Sequence, residues 1–173
     1  MEVRPIHWQP VALLPFEPEH VSQRYVDWLN DPEVTKFTEV PPGQTIENAR
    51  AYVAQGATDK NSALWRVTVD GEHVGNIRIS NIVWKHLRAD VALMIGEKSV
   101  WGRGIGTEAI RLVTAYGFDT MKLHRLQAGI YANNGASLRA FEKAGYTVEA
   151  KRSDYSLFDG EYVDAYLVAK ISH

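Results

Sequence analysis

Apolar side chains recur along this chain at two spacings, and the switches between them mark out the elements. Val11–Leu14 is a short apolar run and predicts a strand. From Pro18 the pattern turns helical, with Val21, Tyr25 and Trp28 on one stripe at spacings of four and three. The stretch Asn30-Asp31-Pro32 ends that helix. Pro41-Pro42-Gly43 reads as a loop, and Thr45 caps a second helix on which Ile46, Ala49 and Val53 share a face.

The next segment alternates. Leu64–Val69 and Val74–Ile79 flank Asp70-Gly71, a dipeptide that accepts the backbone of a tight hairpin turn. Ala89–Ile95 is a third strand, apolar apart from Asp90. Glycines then alternate from Gly102 to Gly106. A helix follows from Thr107 to Phe118, with Ala109, Val113 and Tyr116 along one side. Leu126–Tyr131 predicts another strand. Asn134 caps a helix carrying Leu138, Phe141 and Ala144, and Gly145 stops it. Tyr146–Lys151 and Tyr162–Ile171 close the chain as strands joined through Asp159-Gly160. The order β-α-α-β-β-β-α-β-α-β-β predicts an α/β fold on one mixed, mostly antiparallel sheet. The unit from Ala89 to Tyr131 is the parallel, right-handed exception.

Composition narrows the function classes. With 173 residues, 45% hydrophobic and 23% charged, the expectation is one globular domain over 1–173. There are 19 basic and 21 acidic side chains, so no basic excess exists to neutralise phosphates, and nucleic acid is not an expected partner. Cysteine is absent, which removes disulfides, thiolate metal sites and a cysteine nucleophile. No apolar run approaches the roughly 18 residues of a membrane span. Val11–Leu14 is too short for a signal core, and the expectation is a soluble, cytoplasmic protein. Histidines stand at 7, 20, 73, 86, 124 and 173, none in an H-x-H or H-x-x-x-H arrangement, so no metal site is expected.

The richest local signal is Trp101-Gly102-Arg103-Gly104-Ile105-Gly106-Thr107, between a strand and a helix. Alternate glycines turn the backbone tightly and expose N–H groups; with the helix dipole they make an anion site. A dinucleotide fingerprint needs a glycine where Thr107 stands, and a P-loop needs Lys and Ser/Thr after its last glycine, where Thr107 and Glu108 follow Gly106. Both nucleotide readings fail on those residues. A structural turn remains the plain alternative.

Two segments together point to a family. Ala89–Thr107 resembles motif A of the GNAT superfamily of acetyl-CoA-dependent N-acetyltransferases. Asn134-Gly-Ala-Ser137 with Phe141, Lys143 and the close Gly145-Tyr146 resembles its motif B. Trp101, Thr107-Glu108-Ala109 and Trp28–Val34 resemble the RimJ/RimL-like branch. The resemblance implies a twisted sheet flanked by about four helices, with central strands splayed at the cofactor site. It implies acetyl-CoA as donor, its pyrophosphate on the amides from Gly102 to Thr107, with Trp101 and Arg103 beside them. It further implies the pantetheine arm along Met94 and Ile95, and contacts from Asn134, Ser137 and Lys143. A homodimer is the family's expectation, with Tyr162–Ile171 as the exposed edge.

Acetyl transfer needs a neutral amine, a polarised carbonyl and a proton for the leaving thiolate. A lysine-like amine with a pKa of about 10.4 needs a base. Asp90 and Glu39 are the candidate bases, with a salt bridge and a solvated loop charge as their plain alternatives. Many relatives carry tyrosine where Phe141 stands; Ser137 is the implied proton donor in this branch, with Tyr131 and Tyr146 as substitutes. The acceptor expected is a primary amine on a small molecule. Glu39, Arg78, Trp84 and Lys85 are the expected substrate contacts, with a weak lean to a nucleotide-linked amino sugar. Acetylation of a protein N-terminus, and a cofactor-binding module without turnover, are the alternatives.

Overall fold

The computed structural model describes residues 3–8 and 10–172. Its strands are β1 (Ile6–Trp8), β2 (Val11–Pro15), β3 (Ala63–Val69), β4 (Glu72–Val83), β5 (Arg88–Ile95), β6 (Arg125–Tyr131), β7 (Thr147–Phe158) and β8 (Glu161–Ile171). They form one sheet in the order β1-β2-β3-β4-β5-β6-β8-β7. Five α-helices accompany it: α1 (Gln23–Asn30), α2 (Pro32–Thr35), α3 (Ile46–Thr58), α4 (Ile105–Ala115) and α5 (Gly135–Lys143). Among the described residues β5–β6 is the one parallel pair, with α4 in the crossover. The expected mixed, mostly antiparallel α/β sheet is therefore present.

Both faces of the sheet are covered at β3, which is apolar at five of its seven positions. Ala63, Trp65 and Val67 join Ile77, Ile79 and Leu126 under Ala109, Ile110 and Val113 of α4. Leu64, on the other face, packs with Tyr25, Trp28 and Leu29 of α1 and with Ala49 and Val53 of α3. Asp70 and Gly71 both take positive φ, 50° and 86°, as the tight β3–β4 turn requires.

The structure redraws several boundaries. The helix expected from Pro18 is split. Pro18–His20 forms a 3-10 turn, Val21 is extended, and Ser22 caps α1 by accepting the Tyr25 N–H at 3.2 Å. A hydroxyl that offers the backbone a cap outcompetes helix continuation there. α4 begins at Ile105, two residues early, because the Gly104 carbonyl already accepts from Glu108 N–H at 3.0 Å. Past Ala115 the chain loosens into a π-helical turn over Tyr116–Thr120. β7 runs to Phe158 instead of Lys151, across an irregularity between Arg152 and Ser156 where Asp154 takes a φ of 49°. β8 lies between β6 and β7, so the sheet edge on this side is β7 and not Tyr162–Ile171.

Candidate active site

β5 and β6 start together and then part. Their pairing covers Arg88 to Asp90 against Arg125 to Gln127. Beyond it β5 stays bonded to β4 as far as Ile95, and β6 to β8 as far as Tyr131. Each strand therefore turns an unpaired backbone edge toward the other. A cleft of about 650 Å³ opens between them. Ala92, Leu93 and Met94 line one side, Gly129, Ile130 and Tyr131 the other, and Asn134, Ser137 and Phe141 of α5 its end.

Asp90 sits at the point where the strands still pair. Its Oδ2 accepts from Asn81 Nδ2 at 2.8 Å and its Oδ1 from Gln127 Nε2 at 2.9 Å. It is not among the cleft residues. Asp90 is the last residue of β5 paired with β6, and its carboxylate bonds to the strands on either side, β4 and β6.

The glycine loop flanks the open end. The Trp101 indole donates to the Ile95 carbonyl at 2.8 Å, tying the loop to the end of β5. Gly102 and Gly104 take φ of 74° and 82°, a region that a side chain strains. Gly106 is needed for a different reason. A Cβ on it would lie 3.1 Å from Leu93 Cδ2, so α4 touches the cleft strand directly. Among the described residues the N–H groups of Gly102, Gly104, Ile105, Gly106 and Thr107 have no acceptor within the chain, and Arg103 is exposed beside them. Five unpaired amides at the start of an eleven-residue helix suit a pyrophosphate. The unpaired edge of β5 suits an amide-bearing arm.

α5 brings a second helix start to the cleft. Asn134 Oδ1 accepts from the Ser137 N–H at 3.1 Å, leaving the Ser137 hydroxyl outside the cap. Phe141 is buried against Tyr146 at 5.0 Å between ring centroids. Tyr146 is not a proton donor to the cleft: its hydroxyl pairs with that of Thr114 at 2.8 Å, and burial pushes its pKa up to about 12. Lys143 falls on the last turn of α5, exposed and outside the cleft lining; its carbonyl accepts from Arg111.

The remaining wall faces the acceptor. Glu39 lies on the loop between α2 and α3, and its Oε1 accepts from the Tyr131 hydroxyl at 2.8 Å. Burial first, then the hydrogen bond to Glu39 and its charge, raise the Tyr131 pKa, so this phenol keeps its proton. Phe37 and Phe158 stack at 5.3 Å beside it, which brings the β7–β8 hairpin to the cleft rim. Arg78 Nη1 donates to Tyr52 Oη at 2.7 Å. Asn76 Oδ1, also in the cleft, is buried without a partner. Such an acceptor costs about 1–3 kcal/mol until something donates to it.

Trp84 and Lys85 are not brought here. They lie exposed on a 3-10 turn after β4, six and seven residues past Arg78. At about 3.3 Å per residue that is roughly 20 Å along the strand. Sequence reading missed Tyr25 and Tyr52 as cleft residues. Tyr25 fits a core stripe equally well, and Tyr52 falls on the exposed side of α3 with no motif around it. Among the described residues no group of three or more His, Asp or Glu side chains is placed to hold a metal; His173 lies outside the described residues. No helix of the described residues is long and apolar enough to cross a membrane.

Comparison with known proteins gives concordant findings. The family described as "Acetyltransferase (GNAT) domain" matches residues 11–147. An uncharacterized N-acetyltransferase, p20, of Bacillus licheniformis is 26% identical over 147 residues, covering 81% of each chain. The spermidine N(1)-acetyltransferase of Escherichia coli K12 is 26% identical over 164 residues, 94% of this chain and 87% of that one. Among solved structures, Mycobacterium smegmatis RimJ in complex with CoA-disulfide superposes with a TM-score of 0.85 at 19% identity, covering 98% of this chain and 87% of that one.

Proposed function

This chain belongs to the GNAT acetyltransferase family, and from that premise we propose that it moves an acetyl group from acetyl-CoA to a primary amine of a small molecule. The observation that carries the reading is the parting of β5 from β6 beside a loop of five unpaired amides. A long donor with a pyrophosphate at one end and an amide-bearing arm at the other fits that arrangement. Loop amides from Gly102 to Thr107 hold the pyrophosphate, and the backbone at Met94 and Ile95 pairs with the arm. Acetyl-CoA supplies an activated thioester.

The chain's own groups do the rest. Backbone N–H on the free edge of β5 polarises the thioester carbonyl without a side chain. Glu39 takes the amine proton at its carboxylate, and the Tyr131 hydroxyl orients that carboxylate through their 2.8 Å bond. The Ser137 hydroxyl, at the head of α5, donates to the departing sulfur. Asn76 Oδ1 accepts from the incoming amine, which relieves its unpaired state. The lean to nucleotide-linked amino sugars loses support, since Trp84 and Lys85 lie outside the cleft.

The test is release of the CoA thiol on mixing protein, acetyl-CoA and a panel of primary amines. Glu39→Gln lowers kcat at least tenfold, while the KM for acetyl-CoA changes little. An unchanged kcat in Glu39→Gln would remove Glu39 from the role of base.

A further inference from the structure

Beyond the unpaired Asn76 Oδ1, the acceptor half of the cleft carries a group of donors. Arg78 makes no ion pair among the described residues, although it lines the main cleft. Its guanidinium donates instead to Tyr52 Oη at 2.7 Å. Because that oxygen accepts from the guanidinium, the Tyr52 hydrogen is left to donate elsewhere. Tyr25 lines the same cleft and is almost fully buried. Burial keeps its phenol protonated, so it too is a donor.

Neither nearby carboxylate pairs with Arg78. Glu39, the carboxylate in the cleft lining, is bonded to Tyr131 on β6. Asp59 shares a smaller pocket of about 170 Å³ with Arg78, on the far side of the Arg78–Tyr52 pair. Its Oδ1 accepts from the Asn61 N–H at 2.8 Å, and it does not approach Arg78 within ion-pair distance. A guanidinium beside the Tyr52 hydroxyl, in no ion pair among the described residues, is complementary to an oxyanion.

We propose that the acceptor amine carries an anionic group, a carboxylate or a phosphate, held by the guanidinium of Arg78 and the hydroxyls of Tyr52 and Tyr25. This rests on the acetyl-transfer reading above and names its substrate class. Arg78 and Asn76 are two residues apart on one face of β4, about 7 Å along the strand. The amine therefore meets Asn76 and the thioester while the anion meets Arg78, on a molecule with the two groups a few bonds apart. A polyamine places a second cation where Arg78 stands, so this cleft disfavours it.

The experiment compares matched pairs on the wild-type protein. Phenylalanine is set against phenethylamine, and glucosamine 6-phosphate against glucosamine, with spermidine as the polycation. In at least one pair the anion-bearing amine is expected to show a kcat/KM ten- to a hundredfold above its neutral-tailed analogue. The phenylalanine pair reports a carboxylate site and the glucosamine pair a phosphate site. Arg78→Met erases most of that preference, through KM more than kcat, and Arg78→Lys restores part of it. Spermidine turned over best, neither anion-bearing amine turned over, or a preference untouched by Arg78→Met would each overturn the proposal. Acetyl-CoA binding, followed by titration calorimetry on the same protein, separates this failure from that of acetyl transfer itself, in which acetyl-CoA would not bind at all.

Discussion

His73 shows how much one side chain's environment decides. It lies edge-on to Phe16 and Trp28 and stacked with Tyr25, and its Nε2 sits 2.8 Å from the Gly75 carbonyl. Burial, the largest cause, lowers its pKa from 6.5 to about 4. The folded state thus holds the ring neutral where the unfolded chain binds a proton. Between about pH 4 and 6.5 the unfolded state carries more protons, so stability is complete above that window and falls as pH drops through it. From pH 7 to pH 5 this group removes about 2 kcal/mol. Urea unfolding of His73→Gln, compared with wild type at the two pH values, should show a pH-linked loss smaller by about that amount. Equal losses would place the acid sensitivity elsewhere. Nothing around position 73 in the sequence signals this, because the ring's neighbours come from β2–α1 and not from β4. Asp90 shows the same limit. Its place on a central apolar strand was legible, but whether it met substrate or two amides depended on where β5 leaves β6.

At the scale of elements the signals were stronger where backbone chemistry is local. Thr45 and Asn134 cap their helices as the sequence suggests, with side chains accepting from Asn48 and Ser137 N–H. Asp70-Gly71 makes its turn. The glycine loop combines two demands, left-handed backbone at Gly102 and Gly104 and close packing at Gly106. The second gives a test. Gly106→Val puts a branched side chain against Leu93, 3.1 Å from even the first carbon, and forces α4 away from β5. Overpacking of this kind costs about 1–3 kcal/mol. Since Leu93 lines the cleft, the KM for acetyl-CoA should rise at least tenfold, as steady-state kinetics would show. An unchanged KM would detach the loop from the cofactor site. Less legible were the elements that tertiary contact shapes. Val21 continues the stripe of α1 in the sequence, which predicts a start at Pro18, whereas the Ser22 cap sets it at Gln23. The polar middle of β7 reads as a loop in isolation, and it is the pairing with β8 on either side of it, up to Arg152 and from Ser156, that continues the strand.

For the whole molecule, the site is a consequence of one topological event. A sheet that is antiparallel elsewhere must insert one parallel pair to let α4 cross over, and that pair separates after three residues. The separation exposes two strand edges, while α4 and α5 aim their starts at the gap. Around it, Arg24–Glu97 at 2.5 Å and Lys98–Asp31 at 2.7 Å tie α1 and the turn before α2 to the segment that leads into the glycine loop. Arg24 and the Ser99 side chain and amide hold the Glu97 pKa down to about 2, so this tie persists across the physiological range. The acceptor wall on α1, α3 and β4 and the donor groove on β5 and α4 are thereby held in one frame. The central claim is that this groove takes acetyl-CoA, and thermal unfolding with acetyl-CoA, against matched NAD and ATP, tests it most directly. At about 100 times its dissociation constant the ligand adds roughly 2.7 kcal/mol, a Tm rise of roughly 5–10 °C for a chain of this size. A rise with acetyl-CoA alone is the result predicted. No rise with acetyl-CoA, or an equal rise with all three, would contradict the account.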